Sequence, residues 1–294
     1  MFGEVPGRVD PRVAEAVGGR WSRAKLWLRL AVVWCVVSAG LSVVAALWSA
    51  ATRWSVLPWV APLNTRDTPD IVFSHGIIVA LAVVPLVLAA RMLKPDPDGI
   101  DWRLKPDFWI FLGILVGVVE GVVLMGTAVV VTDSPWWARV GGLIIGFAVP
   151  LVATLLARRA ILAEPLREIG GSEFVLVRSL RSPQGGGEDS VKITGDALRI
   201  SVRTAAGRPA GQAATKDVRL ADITEIGVRP SRPDDGAWAP LADGRGASLP
   251  EGDVLVLRTR TDTQLLPADP ELAELLRARA ALHGAEPARI EDWT

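Results

Sequence analysis

The chain has 294 residues, half of them hydrophobic, with a mean hydropathy of +0.33 and 32 basic against 32 acidic residues. Zero net charge supplies no global field for a nucleic-acid partner, and a single cysteine with two histidines excludes a disulfide framework and a Cys/His metal cluster. Such hydropathy requires long apolar runs, and four are present. The Ala, Val, Gly and Arg-rich composition, without tyrosine, is what a high-GC bacterial genome tends to give.

Residues 1–26 form a polar, basic segment in which Asp10-Pro11 suits the N-cap and first turn of a short helix running towards Trp21 and Lys25. Arg20, Arg23, Lys25 and Arg29 crowd its far end. The apolar run that follows is too long for a signal peptide, so it reads as an uncleaved signal anchor. The four runs, 27–50, 71–90, 108–131 and 137–157, are each near the ~20 residues that cross about 30 Å of hydrocarbon. The expectation is a four-helix transmembrane bundle over 27–160.

Lysine and arginine near the span ends set the orientation. Arg20, Arg23, Lys25 and Arg29, then Arg91, Lys94, Arg103 and Lys105, then Arg158, Arg159 and Arg167 fall on one side, against Arg53, Arg66 and Arg139 on the other. The bias places both termini in the cytoplasm of a bacterial inner-membrane, multi-pass protein. Nine of the twelve tryptophans fall at the expected interfaces, which supports those boundaries. The loop between the second and third spans repeats Leu-Lys-Pro-Asp at 93–96 and 104–107. Its aspartates lack the twelve-residue calcium pattern and its closing glutamate, so they read as a solvated turn.

The third span holds Gly113, Gly117 and Gly121 at four-residue spacing, a face suited to close helix packing, and Gly142 and Gly146 offer a matching face on the fourth. Glu120 lies beside that face. An intramembrane carboxyl costs roughly 2.5–3.5 kcal/mol on insertion scales and points to an interface or a wet cavity. Two readings stand: a hydrogen-bonded pin using Ser38, Ser42, Thr127 or a backbone carbonyl, and a proton or cation site. The absence of a second ionisable group at the same depth favours the pin. His75, next to Ser74, reads as an interfacial polar residue, since neighbours on a helix point about 100° apart and no acid or oxyanion donor accompanies them.

After a linker at 161–171 the pattern changes to period two. Strands are expected at 174–178, 191–194, 197–204, 218–220, 223–228, 254–258 and 264–266, with a turn at Gly195-Asp196 and a closing helix from Asp269-Pro270 to about Gly284. The segments 205–215 and 230–252 read as mobile loops, and 287–294 as a tail.

Gly195-Asp-Ala-Leu-Arg-Ile200, Val218-Arg-Leu-Ala-Asp222-Ile-Thr-Glu-Ile226 and Val254-Leu-Val-Leu257 with its following helix resemble the bacterial pleckstrin-homology-like (PH-like) domains attached to membrane helices. The resemblance covers about 172–284. It implies an all-β, partly open barrel capped by one helix, here a cytosolic domain over 172–286, serving protein or lipid-head-group contact rather than catalysis. It also implies Arg178, Arg181 and Lys192 as candidates for head-group or partner contact. Residues 172–294 carry 16 basic and 19 acidic residues, which favours protein contact.

The expected role is therefore a non-enzymatic scaffold or accessory protein that displays an interaction domain at the membrane. Its expected partners are the bilayer, other membrane proteins or a second copy of itself. No catalytic residue, cofactor or metal site is assigned. The alternative is a small proton- or ion-coupled transporter using Glu120.

Overall fold

The computed structural model describes residues 4–53, 101–130, 135–180, 190–202, 214–232, 252–267 and 270–289, with isolated positions 80, 83, 84, 87, 235, 237, 238, 247 and 248. Two compact units divide the chain: Trp21–Ile161, and Glu4–Arg20 together with Leu162–Thr294.

The first unit is helical. Helix α1 (Ala14–Arg53) runs without a break through the first apolar run, α2 (Pro106–Val130) follows a 3-10 turn at Trp102–Leu104, and α3 (Trp136–Ile161) completes it. Three helices among the described residues are long and apolar enough to cross a membrane. The second expected span, with His75, lies outside the described residues apart from helical positions at Ala80, Val83, Val84 and Val87. Three of the four expected spans are thus seen as helices among the described residues.

These helices expose many large apolar side chains. Leu30, Val33, Val37, Leu41 and Val44 on α1 are exposed, as are Phe111, Ile114 and Val118 on α2 and Ile144, Ile145 and Val152 on α3. Glu120, Ser38, Ser42 and Thr154 are buried. Water would drive the opposite arrangement, whereas hydrocarbon tolerates apolar side chains anywhere and polar ones only inside. Arg158 near the end of α3 meets Asp107 at the start of α2 at 2.7 Å, as an antiparallel hairpin requires.

Among the described residues the second unit has ten strands, β1 (Leu176–Ser179), β2 (Ser190–Ile193), β3 (Ala197–Val202), β4 (Ala214–Arg219), β5 (Ile223–Pro230), β6 (Ala237–Trp238), β7 (Ala247–Ser248), β8 (Asp253–Thr259), β9 (Thr263–Pro267) and β10 (Ala288–Arg289). Helix α4 (Arg167–Gly170) precedes them and α5 (Pro270–Leu282) lies between β9 and β10. One sheet has the order β1-β2-β3-β4, a second β10-β5-β8-β9, and β6 pairs with β7 alone. The expected barrel is therefore an arrangement of separate sheets. The cause is local: a 3-10 turn at Leu220–Asp222 redirects the chain after β4, and β5 pairs antiparallel with β8 instead. The segment 230–252, expected as loop, contains the β6–β7 pair.

Alternation builds the core. Leu176, Ile193, Leu198 and Val218 stand in one cross-strand row on the inner face of the first sheet, all buried. The second sheet contributes Ile226, Leu255, Leu257 and Leu266, and α5 buries Leu272, Leu275 and Leu276. Residues Glu4–Arg20 join this unit through backbone bonds from Asp10 N to Gly171 O (2.8 Å) and from Glu173 N to Arg8 O (3.2 Å). Arg20, counted above among the basic flank, is 4% exposed and donates to Pro165 O at 3.0 Å and to Glu168 Oε2 at 2.6 Å.

Arg279 of α5 is fully buried and donates to Phe174 O (2.7 Å), Thr194 O (2.8 Å), Gly170 O (2.9 Å) and Ile169 O (3.5 Å). One planar fork thus fastens α5 to α4, to the approach to β1 and to the β2–β3 turn. Burial pushes its guanidinium down to about 10, which leaves it charged at neutral pH. Arg279→Met is expected to strand these carbonyls and destabilise the unit by about 3 kcal/mol or more, with Arg279→Lys in between. Limited proteolysis of the full chain in detergent reads this as earlier cleavage within 162–289.

Candidate functional site

In the helical unit the candidate site is a single polar layer. On α1, Cys35, Ser38, Ala39 and Ser42 recur at three- and four-residue spacing, which puts them on one face. Glu120 of α2 meets that face between two apolar layers, Val32–Cys35–Val116 on one side and Ala39–Val123 on the other. Ser38 Oγ donates to Glu120 Oε2 and also lies 3.2 Å from the Cys35 carbonyl. The Cys35 thiol interacts with the same carboxyl. Thr127 turns to its own helix, at 2.8 Å from Val123 O. Among the described residues, Glu120 Oε1 and Ser42 Oγ have no hydrogen-bond partner, and both are buried.

The glycines form the neighbouring interface, between α2 and α3. A Cβ at Gly117 would stand 2.7 Å from the Phe147 carbonyl oxygen, at Gly121 2.8 Å from that of Leu143, and at Gly146 2.6 Å from the Gly121 backbone. At Gly113 it would strike Thr154 Oγ1 at 2.0 Å, and at Gly142 it would sit 3.2 Å from the Leu124 backbone. Backbone meets backbone here, which larger side chains prevent. Glu120 and Gly121, adjacent on α2, therefore serve different neighbours, the carboxyl α1 and the glycine α3.

In the β unit two of the three basic candidates, Arg178 and Lys192, are described, and they do not share a face. Arg178 pairs across the sheet with Val191 and Lys192 with Val177, so Arg178 and Lys192 stand on opposite faces. Arg178 also donates to Glu271 Oε2 at 2.6 Å. Arg181 lies outside the described residues. Other charges are likewise tied internally. Arg199 binds Asp217 through two bonds of 2.7 and 2.9 Å, and Lys216 reaches Asp262 at 2.8 Å. Their hydrogen bonds hold the Asp217 and Asp262 carboxyls below the usual carboxylate range. Arg229 and Asp235, both largely buried, form a further pair, and its hydrogen bond lowers the Asp235 carboxyl in the same way.

Sequence reasoning missed Arg279 and Arg20. Arg279 carried a signal, because Leu272, Leu275, Leu276 and Arg279 fall at i, i+3, i+4 and i+7, so an arginine occupies a place on the apolar stripe. Arg20 carried none, since its partners lie 143 to 148 residues away.

Set against known proteins, the chain matches no family model and no curated protein. Among solved structures it is similar to Vav1 inhibited by an allosteric inhibitor, at 10% identity and a TM-score of 0.24, covering 93% of this chain and 83% of that one. A likeness this loose carries no argument about fold or function.

The glycine contacts make a direct expectation. Gly146→Leu forces α2 and α3 apart and costs about 1–3 kcal/mol, whereas Gly141→Leu, where an added Cβ meets nothing within 4 Å, is neutral. Thermal unfolding of the purified full chain in detergent distinguishes the two.

Proposed function

We propose that this chain is a non-enzymatic scaffold or accessory protein of a bacterial inner membrane, with four spans and both termini cytoplasmic, that presents a PH-like domain to other proteins. One observation carries the reading: the two units have opposite surfaces. Among the described residues the helical unit exposes Leu, Val and Ile and buries Glu120, while in the β unit the large apolar residues are inside, with Val177 the exception at 46% exposure. A lipid-facing anchor joined to a water-facing module fits display better than turnover. Several ionisable side chains of the module are engaged in internal ties, Arg178 with Glu271, Arg199 with Asp217 and Lys216 with Asp262.

Protein contact is preferred over head groups. Arg178 and Lys192 face opposite ways, and the acidic excess of the module offsets the ~1 kcal/mol per basic residue that an anionic leaflet supplies. A transporter remains the second reading, favoured by one feature: Glu120 Oε1 and Ser42 Oγ are buried without a hydrogen-bond partner among the described residues.

A photo-crosslinking residue at Val177, beside Lys192 on the outer face, tests the scaffold reading in native membranes. Discrete protein adducts are expected, absent from the same residue placed at the buried Leu176. Adducts to lipid alone would transfer the module to head-group binding and overturn the preference.

A further inference from the structure

At one end of the helical unit Trp21 of α1 meets Trp109 of α2, with ring centroids 6.2 Å apart, and Arg158 of α3 meets Asp107 of α2 at 2.7 Å. The start of α1, the start of α2 and the end of α3 therefore lie together. Near this end begins a groove of about 490 Å³ between α1 and α3. Its lining is Trp, Leu, Val and Ala only, with Trp27, Leu30 and Val37 on α1 and Val149 and Val152 on α3. At 1.5 Å per residue the wall from Trp27 to Val37 is about 15 Å long, half of the ~30 Å hydrocarbon thickness. The groove thus has the depth of one leaflet. Two arginines prolong its walls beyond the Trp27 end. Arg23 precedes Trp27 by four residues and Leu30 by seven, and Arg159 follows Val152 by seven, so each stands on the face that lines the groove. Both are exposed. Arg23 lies about 6 Å outside Trp27 along the helix, where head groups begin beside an interfacial tryptophan. Arg158, next to Arg159, is instead tied to Asp107.

We infer that this groove holds one anionic phospholipid, with an acyl chain lying between α1 and α3 and the phosphate held by Arg23 and Arg159. Length and charge together select the occupant. A spanning helix of another protein needs a face along the whole ~30 Å of hydrocarbon, whereas this groove is lined on α1 only as far as Val37. A zwitterionic lipid fits the apolar walls equally but brings its own cation to the arginines. A phosphate without that cation suits them, because guanidinium binds phosphate oxygens through paired, charge-assisted hydrogen bonds. Any lipid-facing surface is wetted by acyl chains; a groove of one-leaflet depth with cations on both walls of its mouth keeps one lipid in place. The inference rests on the membrane reading of the helices and is independent of the scaffold role.

Native mass spectrometry of the full chain, stripped of lipid in detergent and given equal phosphatidylglycerol and phosphatidylcholine, tests the site. One phosphatidylglycerol per chain is expected, preferred roughly thirtyfold, since each basic residue beside an anionic head group contributes about fivefold. Arg159→Ala is expected to lose about fivefold of that preference. Val149→Trp, which fills the groove and leaves both arginines, is expected to lose the bound lipid. Arg260→Ala, at an exposed arginine of the other unit, removes the same charge and keeps the preference. If Val149→Trp fails to fold, Arg159→Ala, at an exposed position, decides alone. Equal retention of the two lipids overturns the inference, as does an equal loss in Arg159→Ala and Arg260→Ala. It is overturned too if a photo-crosslinking residue at Val33, on the groove wall, attaches in native membranes to another protein instead of lipid. The membrane reading fails differently: carbonate washing would then release the chain, whereas a chain retained in washed membranes without preference for phosphatidylglycerol sinks the lipid site alone.

Discussion

A carboxyl withdrawn from solvent has to be satisfied by the protein, and the contact between Ser38 and Glu120 is where the helical unit meets that demand. It fixes α1 against α2 at one level, with Val32, Cys35 and Val116 on one side and Ala39 and Val123 on the other. Slipping either helix by one residue would turn the carboxyl by about 100° towards hydrocarbon or into the α3 interface. The packing that surrounds it is not directional in that way. Apolar side chains slide past one another in lipid at little cost, and Gly117, Gly121 and Gly146 set how closely α2 and α3 approach. Distance is thus given by glycine and register by the polar layer.

The β unit meets the same demand at a buried cation. Arg279 is charged and fully enclosed, and four backbone carbonyls from three stretches of chain replace its hydration. Arg20 does similar work at the linker after α3, bonding Pro165 and Glu168. Cationic residues that a charge count assigns to a membrane flank or a ligand patch are here ties between segments distant in sequence. The same holds for Arg178, whose partner is Glu271.

Much of the fold was legible because it rests on periodicity. Period-two alternation located β1, β2, β3, β5, β8 and β9 within a few residues, and the Gly195-Asp196 turn sits where β2 and β3 exchange bonds, with Thr194 N donating to Ala197 O at 2.8 Å. Less legible was how the strands pair. No local pattern announces that a 3-10 turn at Leu220–Asp222 separates two sheets, or that Ala288–Arg289 returns in parallel to β5. The bonding between residues 8–10 and 171–173 is likewise invisible to any local window. For the candidate site, sequence named Glu120 and Ser38 but offered Ser42, Thr127 and backbone carbonyls on equal terms, since only geometry selects among residues on the same face. Nor does the closeness of Arg178 and Lys192 in sequence reveal that strand register places them on opposite faces.

The most direct test of a structural pin is proton flux into proteoliposomes holding the purified full chain or Glu120→Gln. The amide oxygen accepts the same bond from Ser38 without an exchangeable acid proton, so a pin predicts an intact variant and flux at the level of empty vesicles for both proteins. A flux driven by a pH gradient in the unaltered chain, lost in Glu120→Gln while the protein stays folded, would contradict it and make Glu120 a transport site.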